Sequence, residues 1–155
     1  MLWLPGWAAF IKLSKLNFFM GSKSEEDYVR ALYYLRSKHG SAQSSHLASY
    51  LGVSKPGVSE MLMRLDKSGL VKKRFYGEAT LTRKGLQLAR KMTFRHRVIE
   101  SFLSSSLKVP SGRVHAEACA LEHAISDDTA RRLYLLLGKP QSDPHGQPID
   151  SRQIR

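Results

Sequence analysis

Residues 47–65 read LASYLGVSKPGVSEMLMRL, and this stretch decides the fold. Leu47, Ala48 and Leu51 share one face of a short helix running from about Ala42 to Tyr50. Gly52 supplies a turn, Ser54 is placed to cap a further helix, and Val58, Met61, Leu62 and Leu65 recur at the helical period. The spacing of Ala48, Gly52, Val58 and Leu65 is that of a helix-turn-helix, whose second helix enters the major groove with its N-terminal residues toward base edges. On that geometry Ser54, Lys55, Pro56, Gly57, Ser59 and Glu60 face DNA and Arg64 reaches phosphate, while Val58, Met61 and Leu65 belong to the core.

Upstream, Ser24 precedes Glu25, Glu26 and Asp27, then Val29, Ala31, Leu32 and Leu35 form an apolar stripe that Gly40 closes, which predicts a first helix. Downstream, Ser68-Gly69 ends the reading helix. Val71, Arg74-Phe75 and Thr80-Leu81 flank Tyr76-Gly77-Glu78 as a hairpin, so the unit is winged. Lys72, Lys73 and Arg74 on the wing are candidates for phosphate contacts, which set affinity and register without reading sequence. Charge runs of this kind also serve simply as solvated faces. Thr82 caps a long helix from about Arg83 to Leu107, followed by helices over 110–124 and 126–138, with an extended polar tail from Lys139.

The fold class is therefore mostly α: a winged helix-turn-helix over 20–82, a three-helix body over 83–140 and a tail over 141–155. Residues 1–19, apolar but interrupted by Pro5, Lys12 and Lys15, match neither a membrane span nor a signal peptide. They read as a mobile or mis-assigned extension before a start at Met20. The body carries more apolar surface, including Leu133, Leu135, Leu136 and Leu137, than its helices can cover among themselves, so a symmetric homodimer is the natural use of it.

The 155 residues carry 25 Lys and Arg against 13 Asp and Glu, a formal net charge of +12, which favours a polyanion such as double-stranded DNA. One cysteine and no secretory signature fit a reducing cytoplasm. Nothing points to a membrane or a small organic substrate. No His-Glu-x-x-His zinc motif or nucleophile elbow is present, which argues against a metallohydrolase.

Cys119, Glu122 and His123 stand at i, i+3 and i+4 on one helical turn, with His115 a turn earlier. His96 and Glu100 stand at i, i+4 on the preceding helix. Thiolate, carboxylate and imidazole converging in this way suit a transition-metal ion. Taken singly, Cys119 could be a small buried hydrophobe, and Glu100 a mere partner of His96 or Arg97.

Several segments together resemble the diphtheria-toxin-repressor family of metal-dependent bacterial repressors, which includes iron- and manganese-dependent regulators. They are Glu26 to Arg30, Val53 to Ser59, Leu81 to Gly85, Arg95-His96-Arg97 with Glu100, and His115 to His123. Asp143 to Ile149 resembles the segment that follows the dimerisation helices in members with an additional C-terminal SH3-like domain, a domain this short form is expected to lack. The resemblance implies a primary regulatory site of Asp27, Cys119, Glu122 and His123 and an ancillary one of His96, Glu100 and His115. It also implies a repressor of metal-uptake genes that binds a palindromic operator as a homodimer.

Iron-responsive relatives tend to place methionine at position 27 and manganese-responsive ones aspartate, so Asp27 points to Mn²⁺, whereas the thiolate of Cys119 favours Fe²⁺ or Zn²⁺. Arg30 stands where some manganese regulators add another acidic ligand, which weighs against a two-manganese cluster of that type. With Asp27 on the DNA-reading head and Cys119, Glu122 and His123 on the dimerising body, metal would clamp head to body and fix the spacing of the two heads. The alternative reading is a metal-independent winged-helix regulator whose polar cluster is structural.

Overall fold

The computed structural model describes residues 24–73 and 78–154. In chain order its elements are α1 (Glu25–His39), α2 (Ser44–Leu51), α3 (Lys55–Lys67), β1 (Val71–Lys73), β2 (Ala79–Leu81), α4 (Arg83–Ser105), α5 (Ser111–Leu121) and α6 (Asp127–Leu136), with a final 3-10 turn over Ser151–Ile154. The molecule is mostly helical, as the sequence pattern implies. The extension over 1–19 and the wing residue Arg74 lie outside the described residues.

Local chemistry explains the boundaries. Ser24 and Asp27 form a reciprocal capping box: the Ser24 hydroxyl accepts from the Asp27 N–H, and the Asp27 carboxylate accepts from the Ser24 N–H at 2.8 Å. Ser54 accepts from the Gly57 N–H and starts α3, and Gly52 at φ +67° makes the turn between α2 and α3. The apolar faces of α1, α2 and α3 close one core, which Val71, Ala79 and Ala89 complete. The strands pair antiparallel with Val71 opposite Leu81.

Helix α4 is the spine shared by head and body. Ala89 near its start belongs to the head core. Farther along, Phe94 and Val98 pack with Ala130, Tyr134 and Ile149, and Ile99 and Leu103 pack with Val114 and Ala118 of α5. The α4 start is pressed against the wing, because Thr82 Oγ1 donates to the Gly69 carbonyl and the Gly85 N–H donates to Thr82 Oγ1. A Cβ on Gly85 would stand 1.9 Å from the Leu70 carbonyl oxygen, so only glycine fits there.

The tail differs from the extended segment its composition suggests. Ser142 bridges to Pro148 across a tight turn, Gly146 takes φ +77°, and Ile149 is buried beside Phe94 and Tyr134. The reason is one buried apolar anchor together with Asp143, whose Oδ1 accepts from the N–H groups of His145 and Gln147. Leu121, Leu135 and Leu136 remain exposed, Leu136 at 74 %. Among the described residues no helix is long and apolar enough to cross a membrane.

Candidate metal centre and nucleic-acid interface

Asp27 opens the site. Its Oδ2 is committed to the Ser24 cap, which leaves Oδ1 free to face the body, where it lies 3.2 Å from His123 Nε2. His123 sits just beyond the end of α5, and its Nδ1 is 2.6 Å from Glu26 Oε2. Two successive acids of the α1 first turn therefore grip one imidazole of the body. Hydrogen bonding to Asp27, opposed by burial and helped by Glu26, pushes the His123 ring up to about 9. Burial pushes the Asp27 carboxyl up, but its bonds to His123 and Ser24 outweigh that and hold it at about 2.

Glu122 is fully buried between three cationic groups. Its Oε2 lies 2.5 Å from His96 Nδ1, and its Oε1 lies 3.0 Å from Arg30 Nε and 3.6 Å from His123 Nε2. The Arg30 contact is an ion pair by distance only, since neither Arg30 Nε nor Glu122 Oε1 has a hydrogen-bond partner. A buried carboxylate oxygen left without a hydrogen bond, beside Asp27 and His123, is a donor suited to a cation. One donor atom each from Asp27, Glu122 and His123 lies within 4.8 Å of the other two.

The remaining ligand candidates gather on the other side of Glu122. His96 Nε2 and His115 Nδ1 each lie 2.9 Å from Glu100 Oε1, and they are 3.2 Å from each other. Cys119 joins this second group rather than the first: its Sγ is 3.7 Å from His115 Nε2 and 3.4 Å from Arg30 Nη2. The expected grouping of Cys119 with Asp27, Glu122 and His123 is thus not the arrangement seen. The backbone keeps its helical course at Glu122, which is αR with its N–H donating to the Ala118 carbonyl, so the division lies in the Cys119 side chain, which is turned toward His115 and Arg30.

Burial pushes the Cys119 thiol up, but His115, His96 and Arg30 outweigh it and bring it down to about 6, so it is a thiolate near neutrality. Burial lowers and the Cys119, Glu100 and Glu122 bonds raise His96, with a net rise to about 10, while Cys119 and Glu100 lift His115 to about 9. Two carboxylates and an imidazole suit a hard or borderline ion such as Mn²⁺ or Fe²⁺, and a thiolate with imidazoles suits Fe²⁺ or Zn²⁺. Both donor sets fit a transition-metal ion.

On the head, Ser54, Lys55, Pro56, Ser59, Glu60 and Arg64 are exposed on one side of α3 and Gly57 is half-buried, while Val58, Met61 and Leu65 are buried. Lys72 and Lys73 are exposed on β1. The sequence pattern singles out neither Glu26 nor His145 as a site residue. His145 Nε2 lies 3.6 Å from Glu100 Oε1.

Residues 20–79 match the family described as iron dependent repressor, N-terminal DNA binding domain, and residues 82–151 match its metal binding and dimerisation domain. The chain belongs to the diphtheria-toxin-repressor family. Members similar to it include the iron-dependent repressor IdeR of Mycobacterium tuberculosis, 36 % identical over 124 residues, covering 80 % of this chain and 54 % of IdeR. An uncharacterised HTH-type regulator of Methanocaldococcus jannaschii, MJ0568, is 33 % identical over 76 % of this chain and 95 % of its own length. A solved manganese-dependent transcriptional repressor in complex with manganese superposes with a TM-score of 0.76 at 37 % identity, covering 83 % of this chain and 59 % of that one. The chain spans about half the length of IdeR. The family is one of DNA-binding repressors rather than enzymes.

Proposed function

We propose that this chain is a metal-activated transcriptional repressor that binds a palindromic operator as a homodimer in the cytoplasm and controls metal-uptake genes. Mn²⁺ is the first candidate ion, with Fe²⁺ and Zn²⁺ the alternatives. Asp27, Glu122 and His123 would hold one ion, and His96, Glu100, His115 and the neighbouring Cys119 would supply a second. The observation that carries the reading is the 3.2 Å approach of Asp27 on the head to His123 on the body, beside the unmatched oxygen of Glu122. When bound, an ion supplies compact positive charge and directional coordination.

The chain's own residues do the rest. Glu26 and Asp27 draw the start of α1 onto the end of α5, and Glu122 holds His96 and Arg30 in place around the seam. Fixing α1 fixes α3, which packs in the same core, and so sets where Ser54 to Arg64 are presented. In a symmetric dimer the two reading helices must match successive major grooves about 34 Å apart, so a head held at one angle binds better than one free to sample several. Exposed Leu121, Leu135 and Leu136 offer the apolar surface for pairing.

The test is a gel-shift titration on the promoter of a metal-uptake operon with Mn²⁺, Fe²⁺, Zn²⁺ or chelator. Retardation that requires metal and is lost in His123→Ala supports the reading. Retardation indifferent to chelator, or unchanged in that variant, overturns it in favour of a structural polar cluster.

A further inference from the structure

Helix α3 carries two methionines in opposite environments. Met61 is buried with Val58, Leu62 and Leu65 in the head core, whereas Met63 is 49 % exposed. At 3.6 residues per turn, Pro56, Glu60, Met63 and Lys67 follow one another by steps of four, three and four, on the line that points directly away from the buried face. All four are exposed. Among the described residues of the head only Tyr50 is another large apolar side chain left in solvent, and its ring stacks on Tyr34 at 5.2 Å. Met63 stands outside the head core and has no such stack.

The charges around Met63 indicate what it meets. Arg64, Lys72 and Lys73 are exposed at the flank of α3 and on β1, and they offer cations to phosphate. The line of Pro56, Glu60 and Met63 offers phosphate nothing, and the Glu60 carboxylate repels it. Such a line suits the floor of the major groove, where base edges and the thymine 5-methyl group are displayed. A helical side chain leans back over the turn N-terminal to its own Cα, so Met63 covers the ground of Ser59 and Glu60, inside the reading turn. From Pro56 to Met63 is about 10 Å along the axis, roughly three base-pair steps, so the two apolar residues address different bases. The unbranched thioether is long and adaptable enough to reach a methyl group at that depth.

We propose that Met63 is a specificity-determining residue that packs on the 5-methyl group of one thymine in each operator half-site and so selects thymine over cytosine there. The inference rests on the DNA-binding reading above. Met63 lies outside the core and alanine is the better helix former, so Met63→Ala keeps the fold while removing the contact.

The experiment starts from a duplex selected out of a random pool by the full chain in saturating MnCl₂. Each symmetric pair of thymines in it is replaced by deoxyuridine, which removes only the methyl groups, and binding is read by fluorescence anisotropy for wild type, Met63→Ala and Met63→Leu. One buried methyl is worth about a fourfold change, so over two half-sites wild type should lose roughly 15-fold at one thymine pair. Met63→Ala should bind the unmodified duplex weaker by about that factor and lose nothing further at that pair, with the losses at other thymines unchanged. Met63→Leu, apolar and of similar size, should retain the thymine dependence. Uridine losses in Met63→Ala that equal those of wild type at every thymine, or an undiminished affinity of Met63→Ala, overturn the proposal and leave the repressor reading standing. Failure of the metal-loaded wild type to enrich any duplex overturns both.

Discussion

Replacing Glu122 with alanine isolates the centre of the site. The carboxylate is fully buried, with Arg30 Nε at 3.0 Å and His96 Nδ1 at 2.5 Å, and both partners are themselves largely shielded from water. Breaking a buried pair by removing one partner costs about 3 to 5 kcal/mol, because a charge is left buried without compensation. Here Arg30 retains Cys119 and His96 retains Glu100, so the low end applies, about 3 kcal/mol. For a chain of this size that lowers the midpoint of thermal unfolding by roughly 10 °C.

The assay is thermal and urea denaturation of the metal-free protein followed by circular dichroism, on Glu122→Ala and on the double variant Arg30→Met with Glu122→Leu. The double variant removes both charges and refills the volume. It should recover most of the lost stability while binding no metal at the first site. A single variant that costs under about 1 kcal/mol, or a double variant no more stable than the single, would refute the claim that uncompensated charge is what destabilises.

Three further outcomes are expected. Gly85→Ala sets a Cβ 1.9 Å from the Leu70 carbonyl oxygen, so it should destabilise the head by at least about 2 kcal/mol and displace the wing, visible as lost amide protection in β1 and β2. Metal affinity should rise with pH between about 6 and 9, because His123 at about 9 holds a proton that a bound ion must displace. Titration in buffers of different ionisation heat counts the released protons, and a pH-independent affinity would contradict this. Lys72→Ala and Lys73→Ala should weaken operator binding for all sequences alike. Each should also flatten the slope of log affinity against log salt by about 0.9, read by fluorescence anisotropy; an unchanged slope would remove that lysine from the interface.

Much of this was legible in the residues. Ser24, Gly40, Gly52, Ser54 and Thr82 mark helix boundaries through chemistry that acts over a few residues, so the structure follows them closely. The candidate ligands were legible because helical spacing brings 96 with 100 and 115 with 119. Periodicity keeps Cys119 and Glu122 in one helical register, as the structure does, but it cannot say which way the Cys119 side chain turns, here toward His115 and Arg30. Arg30, read only as a residue in place of an acid, proves to touch both Cys119 and Glu122, a relation made by packing between α1 and α5. The tail was misread because a single anchor, Ile149, outweighs the composition around it.

The shared carboxylate of Asp27 constrains how such a protein can change over evolutionary time. One oxygen accepts from the Ser24 N–H while the other faces His123, so a drift toward methionine at this position would alter ion preference and remove one half of the α1 capping box in the same step, the Ser24 hydroxyl keeping its bond from the residue-27 N–H. That loss would fall on the very helix that couples sensing to the operator. Lineages that switch ions should therefore carry a second, compensating change near residue 24, and descendants lacking it should respond sluggishly to either metal.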